Sequence, residues 1–242
     1  MFHRLGRILA SMVIVAAGLI GVQAALGPAA NADACYTWDR TLRQGDTGAD
    51  VEELQERVAA YHGRGGLVLD GVFGPATDAA VKRFQQEYGL AVDGIAGSQT
   101  YGQIYALQDA DCTPAHFSYS ELNQCNSTWA GGPLSASATK SNAREVMWKL
   151  EALRHGLGDH PIRITSGFRS YSCNNAAGGV SSSRHLYGDA ADMGNLSHSL
   201  CTIAREARSY GFYGILGPGF PNHNDHIHVA SKNGSRSAPW CF

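Results

Sequence analysis

The chain has 242 residues, 44% hydrophobic and 17% charged, with a formal net charge of -2. That length suits one large domain or two small ones, and the composition excludes a disordered or collagen-like chain. No basic patch argues for a nucleic-acid partner.

The first 32 residues have the pattern of a secretory signal. Arg4 and Arg7 give the positive start, Ile8 to Leu26 the apolar run, and Ala30-Asn31-Ala32 a small-residue cleavage site. The run approaches the length of a membrane span, but its Gly, Gln and Pro interruptions favour cleavage over anchoring. Asn31 to Ala34 before Cys35 do not form an apolar lipobox. Cleavage removes two arginines and no acid, moving the charge from -2 to -4. The mature protein is therefore expected to be a secreted monomer without stable membrane insertion.

Six cysteines suit an exported protein with a disulfide framework. Fifteen pairings are possible. Joining sequence neighbours gives the simplest set, Cys35–Cys112, Cys125–Cys173 and Cys201–Cys241. In the chain-entropy model the first, closing a long loop, contributes about 4 kcal/mol.

Between Leu42 and Leu107 the chain repeats itself. Leu69-Asp-Gly-Val-Phe-Gly74-Pro-Ala-Thr77 recurs 23 positions later as Val92-Asp-Gly-Ile-Ala-Gly97-Ser-Gln-Thr100. Each copy reads as a glycine turn followed by a helix start, with Pro75 at a first helical position and Ser98 as a cap. Three helices are predicted: Val51, Leu54, Val58 and Tyr61 share a face of the first, Val81, Phe84 and Tyr88 of the second, and Ile104 and Leu107 lie in the third.

Together with Leu42-Arg-Gln-Gly-Asp-Thr-Gly48 and Gln55, this run resembles the peptidoglycan-binding domain found beside many cell-wall hydrolases. The resemblance covers about residues 40–108 and implies a module that holds a catalytic domain on the wall, with peptidoglycan as partner.

A polar connector, residues 108–120, leads to a second predicted domain at 120–242. Its expected elements are a helix from about Asn142 to His155, a strand at 162–165, a helix from Leu200 to about Tyr210 and a strand from His226 to Ala230. Helices mixed with short strands give an α+β class.

Two clusters carry the chemistry: Ser183-Arg-His185-Leu-Tyr-Gly188-Asp-Ala-Ala-Asp192, and His223-Asn-Asp225-His226-Ile-His228. A histidine and a carboxylate in one, with His-x-His in the other, supply three ligands to a zinc ion and leave a fourth position for water. A loop at Gly188 leading into a strand folds His185 and Asp192 toward one point, and His226 and His228, two apart in a strand, face the same side.

The pattern Ser-x-His-x-x-Gly-x-Ala-x-Asp with a later Asp-x-x-His resembles the zinc D-alanyl-D-alanine peptidase family. This implies a zinc-peptidase domain with a small, mainly antiparallel sheet and flanking helices, one zinc ion held by His185, Asp192 and His228, and Asp225 as general base. Many members carry Glu at the base position, and His226 is the rival ligand. Zinc makes a hydroxide nucleophile available near neutral pH, and the tetrahedral oxyanion would meet an imidazole, His223 in first place or His226. Arg169, after the Ser166-Gly-Phe turn, is expected to bind the substrate's terminal carboxylate, ahead of Arg163 and Arg184.

The implied activity is a D-Ala-D-Ala carboxypeptidase acting on stem peptides of the wall, and on crosslinks ending in a D-Ala bond. The alternatives are an endopeptidase on an L-Ala-D-Glu or bridge bond, a noncatalytic wall-binding protein, and a zinc amidase. Retention of an acid at Asp225 argues against a dead site.

Overall fold

The computed structural model describes residues 35–125 and 128–242. The expected signal segment, 1–32, lies outside the described residues. Those residues belong to one compact unit, and a continuous apolar cluster runs from Leu42 to Cys241.

The amino-terminal part is helical: α1 (Ala49–Val58) runs into a 3₁₀ turn (Ala59–His62), followed by α2 (Pro75–Glu87) and α3 (Ser98–Ala106). Val51, Leu54 and Val58 of α1, Val81 and Phe84 of α2 and Ile104 of α3 are all buried, as their spacing requires. Pro75 occupies the first turn of α2, where its missing N–H has no helical partner to lose. Ser98 departs from expectation: Gly97 holds the capping position of α3, and Ser98 is the first helical residue.

The sequence repeat is also a repeat of hydrogen bonds. Gln55 Nε2 donates to Asp70 Oδ1 (2.8 Å), to the Val72 carbonyl (3.0 Å) and to Thr77 Oγ1 (3.1 Å), while its Oε1 accepts from the Asp70 and Gly71 amides. Gln85 does the same with Asp93 Oδ1, the Ile95 carbonyl and Thr100 Oγ1 at 2.9, 3.0 and 3.1 Å, and with the Asp93 and Gly94 amides. Each glutamine thus staples the glycine turn to the helix that precedes it, and each threonine ties in the helix that follows.

The carboxy-terminal part is a five-stranded sheet with flanking helices. The strands are β1 (Arg163–Ser166), β2 (Ala190–Gly194), β3 (Gly214–Leu216), β4 (Ile227–Ala230) and β5 (Arg236–Ser237), ordered β1-β2-β4-β3-β5. All neighbours are antiparallel except β3 and β5, which are parallel. Between α3 and this sheet lie α4 (Tyr119–Leu122) and α5 (Ala136–Gly156), with α6 (Tyr171–Ala176) and α7 (Leu200–Ala207) further along. Helix α5 begins earlier than the expected Asn142, because Ser135 caps it by accepting from the Ala138 amide. Helix α7 ends at Ala207 rather than near Tyr210, and Gly211 follows with a positive φ.

Helix α5 lies against both parts, touching α1 on one side and β2 on the other. Arg144 forms a two-pronged ion pair with Glu56 of α1 at 2.7 and 2.8 Å, and Tyr88, which caps the carboxy end of α2, stacks on His155 at 4.4 Å between ring centres. Gly66 makes the close approach possible: its φ is +70°, and a Cβ there would sit 2.9 Å from the Gly211 carbonyl oxygen and from Lys149 Nζ. The disulfides are Cys35–Cys112, Cys125–Cys173 and Cys201–Cys241, the sequence-neighbour set.

Candidate metal centre

The register of β2 against β4 places Asp192 directly opposite His228. His185 comes from a 3₁₀ turn, Arg184–Tyr187, immediately before β2. That turn ends on Gly188 at φ +71°, where a Cβ would approach the Thr139 carbonyl to 2.5 Å. Only glycine fits, which accounts for the glycine between His185 and Asp192 of the motif in purely steric terms.

His185 Nε2, Asp192 Oδ1 and His228 Nδ1 form a near-equilateral triangle, with sides of 3.0, 3.0 and 2.9 Å, and all three residues are buried. Two ring nitrogens at that separation cannot both carry protons, and the carboxylate only accepts. A tetrahedral zinc with bonds of about 2.0–2.2 Å sets its ligand atoms about 3.3 Å apart, so a modest expansion of this triangle receives the ion. The residues present fit zinc in donor type, number and spacing.

Surrounding contacts orient the three. His185 Nδ1 donates to the Gly167 carbonyl at 2.6 Å, which leaves the Nε2 lone pair directed at the triangle. Asp192 accepts at its outer oxygen Oδ2 from Arg169 Nη2 at 2.7 Å, and Arg169 Nε donates to Ser166 Oγ at 2.9 Å. Burial alone would raise the Asp192 pKa, but the charge and hydrogen bond of His185, joined by those of His228, outweigh it and hold the carboxyl well below its usual range. Burial pulls His228 down, toward the neutral form that ligates a metal.

The remaining expected residues sit on the segment leading into β4. His226 Nε2 lies 3.8 Å from Asp192 Oδ1, and its Nδ1 donates to Asp225 Oδ1 at 2.8 Å. Asp225 is 89% exposed, and this hydrogen bond lowers its pKa, so it is ionised at neutral pH. The His223 ring lies 4.8 Å from that of His226 and 5.9 Å from that of His228, and its Nδ1 donates to the Pro221 carbonyl at 2.7 Å. Burial, with the charges of His226 and His228, pulls the His223 pKa down.

Comparison with known proteins gives the family of the chain. A family model described as Peptidase M15 matches residues 115–230, and one described as Putative peptidoglycan binding domain matches residues 47–104. The zinc D-Ala-D-Ala carboxypeptidase of Streptomyces albus G is 57% identical over 211 residues, covering 86% of this chain and 83% of that protein. The chain belongs to the peptidase M15 family.

Other relatives match this M15 peptidase over a shorter stretch. The spore cortex-lytic enzyme of Oceanobacillus iheyensis is 38% identical over 76 residues, covering 30% of this chain and 26% of that enzyme. Among solved structures, the SleB N-terminal domain is 38% identical and covers 29% of this chain and 96% of its own, with a TM-score of 0.27.

Sequence reasoning about this M15 peptidase missed the partners of three side chains in and beside the centre, His185, Arg169 and Arg184. The Gly167 carbonyl that aims His185 carries no side-chain signal. Arg169 was expected at a substrate carboxylate, yet the structure spends its Nη2 and Nε on Asp192 and Ser166. Arg184, a weaker candidate for the same role, is paired with Asp189, a fully buried carboxylate that burial pushes up in pKa against the pull of Arg184.

Proposed function

We propose that this chain is a zinc-dependent D-Ala-D-Ala carboxypeptidase, which removes the terminal D-Ala of peptidoglycan stem peptides. The observation that carries the reading is the His185–Asp192–His228 triangle, in a chain 57% identical over most of its length to a carboxypeptidase of that specificity. Zinc bound there supplies a Lewis acid and brings the pKa of a water to about 7. Asp225, ionised and exposed, takes the attacking water's proton and returns it to the leaving amine.

The hydrogen bonds divide the work of the two remaining histidines differently from the sequence expectation. His223 gives its Nδ1 proton to Pro221 and is held neutral, so its Nε2 carries no proton to donate. His226 bonds Asp225 through Nδ1, and its Nε2 lies 3.8 Å from Asp192 Oδ1, beside the triangle and nearer the reacting group than His223. His226 is the oxyanion donor in this reading, and His223 shapes the wall of the site.

Arg169 serves two groups. Its Nη2 fixes the outer oxygen of Asp192, and its Nη1, which has no hydrogen-bond partner among the described residues, meets the substrate carboxylate. Residues 40–108 hold the enzyme on peptidoglycan, and residues 120–242 carry the catalysis. The 1–32 pattern and three disulfides support secretion to the wall as a monomer. Among the described residues no helix is long and apolar enough to cross a membrane.

The test is incubation of the mature protein on diacyl-Lys-D-Ala-D-Ala and on purified wall, with and without a chelator. Chelator-sensitive release of free D-Ala is expected. New amino termini without D-Ala would replace this reading with an endopeptidase.

A further inference from the structure

Two adjoining cavities open on the seam between the helical part and the sheet, and no residue of the metal centre lines either. One, of about 530 Å³, has Asn142, Lys149, Ser231 and Lys232 in its wall; the other, of about 430 Å³, has Arg64 and Arg236. Gly65 and Tyr213 line both, so the cavities meet at the Tyr213 ring, which is 48% exposed. Gly65 crosses this ring closely, for a Cβ there would sit 3.2 Å from it.

The arginine end is unusual in its charge balance. Arg236 is fixed by donating Nε to the Tyr213 carbonyl (3.1 Å) and Nη2 to the Phe212 carbonyl, both neutral acceptors. Arg64 is exposed, and Arg208, stacked over Phe242 at 4.6 Å, adds a third charge within electrostatic reach. Burial first, then the charges of Arg64 and Arg208, draw the Arg236 pKa down. None of the three arginines forms an ion pair among the described residues, which is also true of Arg43, Arg163 and Arg205, but here no acid lines the cavity that Arg64 and Arg236 share. Cations gathered without a counter-charge repel one another, and an anion relieves that repulsion while filling the guanidinium forks.

The other end is mixed in charge, with Glu52, Glu56 and Glu145 lining it beside Lys149 and Lys232, so it does not favour an anion as the arginine end does. Lys232 bridges Asn142 (2.8 Å) and Glu145 (3.2 Å), and the buried Ser231 Oγ has no hydrogen-bond partner. A buried hydroxyl left unpaired is costly until a ligand or water meets it.

We propose that the arginine end of this seam binds an anionic group of the wall polymer, with Arg64 and Arg236 taking a carboxylate or phosphodiester and the Tyr213 face taking the adjoining ring or peptide plane. It is a wall contact separate from the catalytic centre, and it deepens the wall-directed reading on which it rests. Binding there would hold the two parts of the molecule on one strand of polymer, because Arg64 and Gly65 belong to the helical part and Tyr213 and Arg236 to the sheet.

The experiment is co-sedimentation of the full mature protein with purified walls, either retaining their phosphodiester polymers or stripped to peptidoglycan. Wild type is compared with Arg64→Gln, Arg236→Gln and the double variant, across a salt series. Each substitution should weaken wall affinity about tenfold and flatten its salt dependence, with turnover of the soluble tripeptide unchanged. Loss on both preparations assigns a carboxylate, and loss only on phosphodiester-bearing walls assigns a phosphodiester. Wild-type affinity in every variant on both preparations overturns the proposal. Should Arg236→Gln fail to fold, Arg64→Gln and Arg64→Glu decide alone, since Arg64 is exposed and bonds nothing that holds the fold. Tripeptide turnover by the wild type reads the catalytic assignment independently.

Discussion

The stapled turns of the helical part and the triangle of the sheet are both small knots of buried polar atoms, yet they balance differently. Around Gln55 and Gln85 every donor faces an acceptor: the amide nitrogen meets a carboxylate, a carbonyl and a hydroxyl, and the amide oxygen meets two backbone N–H groups. Around His185, Asp192 and His228 the converging atoms are two ring nitrogens and a carboxylate oxygen, with too few protons among them to satisfy all three contacts. A balanced knot is complete as protein and holds shape. An acceptor-rich one is complete only with a cation, and that imbalance is the physical mark of a site.

The sharpest break of this contrast is removal of a ligand. His185→Ala is expected to reduce bound zinc and peptide turnover to background, measured by metal analysis and D-Ala release, while the stapled turns keep the helical part folded. Stoichiometric zinc in that variant would remove His185 from the ligand set. Asp225→Asn should retain zinc and lose about 10²- to 10⁴-fold in turnover, if the exposed Asp225 has the proposed role on the proton rather than on the metal. Normal turnover would exclude it as the base.

Arg169→Ala separates the two jobs assigned to that side chain. Loss of its bond to Asp192 should weaken zinc binding about 10- to 100-fold, as for other residues that orient a metal ligand. Loss of carboxylate recognition should raise KM for peptides with a free carboxyl terminus even at saturating zinc. A metal-affinity change with KM unaltered would leave Arg169 only a positioning residue, and an altered KM with unaltered zinc binding would leave it only a substrate residue.

The same balance explains what could be read from the chain. The helical faces were legible because Val51, Leu54 and Val58, or Val81 and Phe84, recur at a spacing only a helix uses. The repeat was visible as Asp-Gly with a following Thr, but the glutamine closing each staple precedes the turn by a variable distance, Gln55 to Asp70 and Gln85 to Asp93, so its bonding role was not legible. In the sheet, β3 and β5 are too short to carry an alternation, so their place beside β4 is a tertiary fact. At the site, residue types and spacing point to His185, Asp192 and one histidine of the His226–His228 pair, the family resemblance chooses His228, and the structure brings His185, Asp192 and His228 together. The Arg169–Asp192 contact was not legible, because it follows from Ser166 of β1 lying opposite Asp192 in the sheet register rather than from any local pattern.

The staples predict a stability effect without a catalytic one. Gln55 is buried, and Gln55→Ala strands the Asp70 and Gly71 amides, so unfolding free energy should fall by about 1–3 kcal/mol with tripeptide turnover per folded molecule unchanged. A matching loss of zinc would show that the helical part tunes the metal centre, and would erase the distinction between the two knots.

The smallest effect gives the cleanest comparison, because it asks whether each knot responds as separate bonds or as a unit. Thr77→Val and Thr100→Val each keep the side-chain shape and remove one hydroxyl that accepts from a glutamine and donates to a carbonyl. Each should cost about 1 kcal/mol. The two staples share no bonding partner, so the double variant should lose the sum to within about 0.5 kcal/mol, read from denaturant midpoints at constant slope. In the triangle the corresponding pair, His185→Ala and His228→Ala, should not add at all, since either one alone already empties the site. Coupling between the two threonines larger than that margin would mean that the repeats cooperate as one element, and that balanced polar knots, too, act as units.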